Sequence, residues 1–411
     1  MNGIKKGWLV TFAATGINLV LGMLYIWSIM NKNLVSNYNW SSTEASLPYS
    51  VCIVVFAFIM IFAGRLQDKK GPQLSALLGG FLLGTGLILS GLVIESPFLM
   101  VLTYGVMGGS GIGVCYAATT PPAVKWFPLN KKGLISGIVV GGVGFAAVYI
   151  SPLTNWLLTL FPLSTTFMIL GVGSLVIIWT LSIFLVNPPS DYNPYKSQTS
   201  KGTSSGLKQF DWNEMLKTLA FYKYWIIYTF AASAGLMLIG HISPIAVAQA
   251  NWEKGFYLVV ILALGNTGGR VMAGILSDKI GYTRSLQIVL IIQALNMFLF
   301  SQFVNTITLG IGTAIAGLGY GALFSIFPAI IADHYGTKNL GVNYGLLFTS
   351  FGVAGIIGPL LAGSILDATG AYTLSYILSG VLLLIATLLT LIKTSVNNKI
   401  PEQIAKLPQS S

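Results

Sequence analysis

Gly64-Arg65-Leu66-Gln67-Asp68-Lys69-Lys70-Gly71 and Gly274-Ile275-Leu276-Ser277-Asp278-Lys279-Ile280-Gly281 both read G-x-L-x-D-K-x-G, 210 positions apart. Each is a polar break between two hydrophobic stretches. The surroundings repeat as well. Gly111-x-Gly113 with Pro122 returns as Gly317-x-Gly319 with Pro328, an offset of 206, and Gly133, Gly137 and Gly144 return as Gly341, Gly345 and Gly352, an offset of 208. Three offsets this close indicate one duplicated unit. Parallel repeats with a substrate site between them are a transporter architecture.

Working outward from the motifs, the chain divides into twelve hydrophobic segments, at 7–30, 44–64, 73–94, 98–124, 133–160, 165–187, 219–246, 255–276, 284–303, 306–332, 340–366 and 370–394. A membrane-crossing helix needs about 20 apolar residues. Only 8% of the chain is charged and 54% is hydrophobic, with mean hydropathy +0.78; a soluble protein carries about 25% charged residues. The expected fold is an all-α membrane protein with twelve transmembrane helices in two pseudo-symmetric six-helix bundles. The expected domains are 1–187, a central loop at 188–218, 219–394, and a tail at 395–411. The first segment is too long for a signal-peptide core and lacks a small-residue cleavage site after it, so it reads as a retained span.

The net charge of +11 is a matter of topology, not of nucleic-acid binding. With the N-terminus in the cytoplasm, nineteen Lys and Arg residues lie inside and only Lys32 and Lys254 outside, as the positive-inside rule requires. Both termini are therefore expected in the cytoplasm. The short loops point to a bacterial inner membrane. The stretch Ser197 to Gly206 reads as a flexible tether, and a short interfacial helix is expected after Asp211. Cys52 and Cys115 both fall in apolar segments, so neither a disulfide framework nor a metal site is expected.

Of the 33 charged residues, only Arg270 falls clearly inside a segment. An ionised side chain at the bilayer centre costs roughly 2.5–3.5 kcal/mol on insertion scales, and Arg does not escape by deprotonating. Arg270 should therefore face the bundle interior. Asn266 lies one helical turn before it, on the same face. The simplest partner for a fixed cation lined by an amide is a carboxylate that comes and goes. The alternative is a structural Arg bonded to backbone carbonyls or to an acid elsewhere, but no other segment offers an acid at comparable depth.

His241 is the intramembrane His, and titrates near neutral pH. Two readings stay open: a proton site or part of an outer gate, or a neutral His satisfied by a backbone carbonyl. Spans seven and eight run in opposite directions, so His241 and Arg270 are expected at different depths. Membrane tyrosines are commonly interfacial. Tyr25, Tyr116 and Tyr320 fall well inside their segments, which favours cavity lining, whereas Asp367 reads as a solvated helix end.

The paired motifs, twelve segments and central loop resemble the major facilitator superfamily over nearly the whole chain. By that resemblance Asp68 and Asp278, with Lys69 and Lys279 beside them, would hold a cytoplasmic gate closed. A narrower resemblance, to oxalate/formate antiporters and monocarboxylate transporters, rests on several short stretches. These are Trp126-Phe127-Pro128 with Lys131-Lys132-Gly133-Leu134-x-Ser136-Gly137, Asn266-x-x-x-Arg270 followed by Ser277-Asp278-Lys279-Ile280-Gly281, Gly22-x-x-Tyr25-x-Trp27, and Tyr116. In that group the span-eight Arg binds the substrate carboxylate, which the resemblance assigns to Arg270. Oxalate carriers have a second cation in span eleven; here Phe351 takes that place. One cation suits one carboxylate, and a dianion would leave a buried charge unpaired at a cost of several kcal/mol. Tyr320 and Phe324 take the place of an aromatic pair typical of span ten. Animal monocarboxylate transporters carry Asp where this chain has Asn266, so their proton relay does not transfer.

The expected function is secondary transport of a small monocarboxylate of lactate or pyruvate size, coupled to H⁺. The substrate would meet Arg270, Asn266, Tyr116, Tyr320, Phe324, Tyr25 and Phe351, and His241 would carry the proton. Anion exchange without protons is the alternative. An enzyme is not expected, since H-E-x-x-H, G-x-S-x-G and facing intramembrane acids are all missing from the sequence. The expected partners are a carboxylate, H⁺ and the bilayer. No nucleic acid, cofactor or metal is expected, and the chain is expected to be monomeric.

Overall fold

A computed structural model describes residues 3–127, 132–189, 192, 209–336 and 339–392. Among them, twelve helices are long and apolar enough to cross a membrane. Spans one to six are Ile4–Tyr38, Ser42–Gln67, Pro72–Leu92, Pro97–Lys125, Ile135–Leu160 and Leu163–Ser182. Spans seven to twelve are Leu219–Ala250, Phe256–Ser277, Tyr282–Gln302, Thr306–Tyr335, Val342–Thr369 and Thr373–Leu391. No strand occurs among the described residues. The protein is an all-α, multi-pass membrane protein.

Spans one and seven outrun the hydrophobic segments expected for them. Their ends are set by Asn39 and Asn251, both left-handed at φ 58° and 47°. Asn tolerates this conformation and a helix commonly ends on it, so backbone chemistry rather than hydropathy decides where these helices stop. The last Gly of each repeated motif, Gly71 and Gly281, also has positive φ, 88° and 83°. A side chain is disfavoured there, which explains why both copies end in Gly.

The duplication governs the packing. Span one packs on five, two on four and three on six; in the second half seven packs on eleven, eight on ten and nine on twelve. Between the halves, two packs on eleven, five on eight and one on seven. These pairs exchange when the halves are swapped, as a pseudo-twofold axis requires.

The two ends of this interface differ. At the end away from the motifs the halves are tied together. The Asp367 carboxylate, on span eleven, accepts from the Ser42 and Thr43 amides at the start of span two, each at 2.8 Å, and from the Thr43 hydroxyl. Asp367 is thus a cap on a helix of the other half, not merely the solvated end expected from sequence. Lys32 pairs with Glu253, and the hydroxyls of Ser28 and Ser243 meet at 3.1 Å. At the motif end, a Cβ added at Gly64, Gly137, Gly274 or Gly345 would have nothing within 4 Å among the described residues. The bundle is closed at the end away from the motifs.

Capping of orphan helix amides contributes about 0.5–2 kcal/mol. Asp367→Ala should therefore raise the population open at the Asp367 end severalfold. Spin labels at Asn37 and Ala371, exposed on opposite halves at that end, would report it as a longer-distance population; an unchanged distribution would refute the cap's role. Cys52 and Cys115 are buried and should not compete for label.

The expected interfacial helix is Trp212–Met215, after Asp211. The tether at Ser197 to Gly206 and the tail at 395–411 lie outside the described residues.

Candidate functional site

Span one is not a uniform helix. Gly22–Ile26 forms a tighter 3-10 turn between two α-helical parts, where Gly22 lies so close to span five that an added Cβ would meet the Ala146 Cβ at 2.0 Å. This turn carries Tyr25 into the middle of the molecule, where its hydroxyl accepts from Asn266 Nδ2 at 2.6 Å. A bond between spans one and eight is a bond between the two halves.

Arg270 is the next member of the chain of contacts. Its Nε donates to Asn266 Oδ1 at 3.2 Å, and Nη1 donates to the Val140 carbonyl of span five at 3.4 Å. Its Cζ lies 4.5 Å from the centre of the Phe324 ring, a stacking position that favours a cation. A guanidinium has five N–H donors. The carbonyl bond is long, and one amide plus one carbonyl leave donor capacity for an anion. The purely structural reading of Arg270 finds a single weak carbonyl here.

These donors line a cavity of about 40 Å³ between the halves. One water needs roughly 10–15 Å³ by the same measure, so there is room for a compact solute of a few heavy atoms. Arg270 is the charged residue in its wall. Tyr25, Tyr49, Tyr116 and Tyr320 supply hydroxyl-bearing rings, and no Asp, Glu, His or Lys is among the described residues that line it. Part of the wall is an aromatic cage. Phe348 and Phe351 stack at 4.8 Å, Phe324 meets Phe351 at 5.7 Å, and Phe56 from the other half meets Phe348 at 5.9 Å. The cation lies against this cage through Phe324, and the rest of the wall is aromatic or aliphatic.

Six of the seven residues singled out for the substrate therefore line one cavity: Arg270, Tyr25, Tyr116, Tyr320, Phe324 and Phe351. Asn266 does not line it. It is fully buried and holds Arg270 with one side-chain end and Tyr25 with the other, so it positions the cation. Tyr49, Ile53, Phe56 and Phe348 also line the cavity and were not singled out by sequence. The spacing of Tyr49, Ile53 and Phe56 marks one helical face, but in an all-apolar helix this signal does not stand out.

His241 is not a lining residue. It is buried among Ser46, Pro359 and Tyr372. Its Nε2 lies 3.0 Å from both the Pro359 carbonyl and Ser46 Oγ, and Nδ1 lies 3.1 Å from the Tyr372 hydroxyl. A carbonyl only accepts, and Ser46 Oγ already donates to the Ser42 carbonyl at 2.7 Å. The pattern therefore fits a neutral ring with its proton on Nε2 and Nδ1 accepting from Tyr372. Ser46 belongs to the first half, so His241 bridges the halves at the closed end, and direct contact with Arg270 is absent from this arrangement. At the motif end Lys69 and Lys279 are exposed; the side chains of Asp68 and Asp278 lie outside the described residues.

The chain matches the Major Facilitator Superfamily model over residues 7–306 and 257–410. It is 27% identical to the oxalate:formate antiporter of Oxalobacter formigenes, covering 77% of this chain and 74% of that one. It is 24% identical to monocarboxylate transporter 13 of Rattus norvegicus, covering 92% and 86%. Among solved structures, a bacterial homologue of the human lysosomal transporter Spinster in an inward-facing, occupied conformation superposes with TM-score 0.69 at 16% identity, covering 94% and 95% of the two chains. That likeness is one of fold.

Proposed function

This chain belongs to the Major Facilitator Superfamily, and from that premise we propose that it is a secondary active transporter of small monocarboxylates, working by alternating access. The observation that carries the proposal is Arg270 as the cation in a cavity between the halves whose described wall is otherwise aromatic and aliphatic. A carboxylate accepts two parallel N–H bonds from a guanidinium, and a short carbon chain packs on the Phe324, Phe348 and Phe351 rings. A relative named as an oxalate:formate antiporter and another named as a monocarboxylate transporter fall in the same chemical range. The lone cation disfavours a dianion. An anion at Arg270 also neutralises the charge in the cavity, so the loaded protein closes more readily than the empty one.

By the positive-inside rule the motif end is cytoplasmic. With the far end tied, we read the protein as open to the cytoplasm, with both termini inside and the membrane a bacterial inner membrane. Opening the far end requires release of Asp367, Lys32 and the His241 bridge. Proton symport would use that bridge. Protonation of Nδ1 would turn Tyr372 from donor to acceptor and tie proton occupancy to the contact with Ser46. The second reading is anion exchange, favoured by the absence of any Asp, Glu or His among the described residues that line the cavity.

Uptake of labelled lactate into proteoliposomes separates them. Accumulation driven by an inward proton gradient, lost in His241→Ala, supports symport through that residue. Gradient-driven uptake that survives the substitution removes His241 from the coupling. Rapid lactate exchange against a preloaded anion, without accumulation, moves the assignment to an exchanger. Silence in both formats would mean that the substrate class is wrong.

A further inference from the structure

One wall of the cavity is held in place by a residue that does not touch it. Tyr320, on span ten, lines the cavity beside Phe324 and Phe351, at ring separations of 5.3 and 6.4 Å. Behind its ring stands Gly235 of span seven. A Cβ placed on Gly235 would lie 2.2 Å from Tyr320 Cδ2, 2.8 Å from Cγ and 3.0 Å from Cβ, and these are its three nearest atoms. Carbon atoms prefer about 3.5–4.0 Å, so the ring occupies space that any side chain at position 235 would need.

Neither helix is free to retreat. Span ten is pressed backbone to backbone on span eight: a Cβ on Gly321 would lie 2.0 Å from the Asn266 carbonyl oxygen, and one on Gly317 2.3 Å from that of Leu262. Span seven is pressed on span eleven in the same way, with a Cβ on Gly358 2.3 Å from the Ser233 oxygen and 3.0 Å from the Met237 nitrogen. These two contacts flank Gly235. Close-packed interiors transmit such a displacement rather than absorb it. The degree of freedom left is the Tyr320 side chain, and it turns toward the cavity.

We infer that Gly235 is a specificity-determining residue: by admitting the Tyr320 ring into the wall it sets the length of the substrate's carbon chain. The inference rests on the reading of the cavity as a monocarboxylate site. Arg270 fixes the carboxylate, so chain length is measured from a fixed end, and the ring limits it. Gly235 would act with no contact to the substrate and no change in charge.

The test is a binding profile by titration calorimetry on the purified full-length protein, with the straight-chain acids from acetate to hexanoate at pH 7.5. For the native protein, affinity should rise about fourfold per methylene until the chain meets the wall, then fall. In Gly235→Ala the turning point should come one methylene earlier, with acetate affinity within about twofold of native, since Arg270 is untouched. In Tyr320→Ala it should come later. Adding Gly235→Ala to Tyr320→Ala should then shift the turning point far less, because Cδ2 and Cγ are gone and only the Cβ contact at 3.0 Å remains; two residues that act through one contact are not additive. Ala favours a helix over Gly, so lost propensity is not a confounder. If Gly235→Ala alone does not fold, the double variant carries the test. An unchanged profile in Gly235→Ala, or equal shifts from it with and without the Tyr320 ring, overturns the inference and leaves the site reading standing. A native protein that binds none of the acids overturns both.

Discussion

Arg270→Lys is expected to lower monocarboxylate uptake by roughly 10²-fold or more at subsaturating substrate. The charge survives the substitution, so an effect of this size would come from geometry. The Arg270 guanidinium meets Asn266 through Nε and Val140 through Nη1 while its face lies on Phe324. It is thereby oriented, with donors left for a carboxylate. A lysine ammonium is a point charge with three donors and no fork; bonded to Asn266 it has little left to align. Each hydrogen bond between charged groups is worth about 1.5–3 kcal/mol, and losing the second bond and the stacking should cost about 3 kcal/mol, hence roughly 10²-fold. Arg270→Gln removes the charge as well and should leave no measurable uptake. The readout is initial uptake in proteoliposomes at matched protein density. A Lys variant within about threefold of native would remove Arg270 from the substrate site.

The second large effect is expected at Asn266. Asn266→Asp is nearly isosteric, but it places a carboxylate 3.2 Å from the Arg270 Nε, where the amide oxygen now sits. An opposite-charge pair at about 4 Å attracts by about 4 kcal/mol at an effective dielectric constant of 20, partly offset by desolvation of the new acid. The substrate carboxylate must then compete with an internal one, so affinity at neutral pH should fall by roughly 10²-fold. An opposite charge this close favours the ionised form of both partners, so the ion pair should persist and the loss of affinity should be the same at pH 8 and pH 5.5. Calorimetric titration of lactate, which stays ionised over this range, measures it. A variant with native affinity would mean that Asn266 does not position Arg270.

Both predictions turn on contacts between residues that are neighbours in sequence and on what the tertiary structure places around them. Asn266 and Arg270 share a face because a helix repeats every 3.6 residues, so their pairing was legible in the chain. The role of Asn266 was not. Its partner Tyr25 is 241 positions away, and only the close approach of spans one, five and eight turns an expected substrate ligand into a brace for Arg270. Asp367 shows the same limit. Its position at a helix end was readable, whereas the helix it caps belongs to the other half.

The amino-acid sequence by itself determined the twelve spans, the duplication, the uneven placement of Lys and Arg among the loops and the cation within a span. Each follows from a local cost: burying charge or unpaired backbone in a bilayer is expensive, and the penalty is written residue by residue along the chain. Only the tertiary structure decided which rings form the aromatic cage, that His241 ties the halves together away from the cavity, and that the halves are joined at the end away from the motifs. In helices apolar on every side, hydropathy does not distinguish the face toward lipid from the face toward another helix. Packing between distant segments does, through the fit of a glycine to a ring or a backbone, as Gly235 and Tyr320 show.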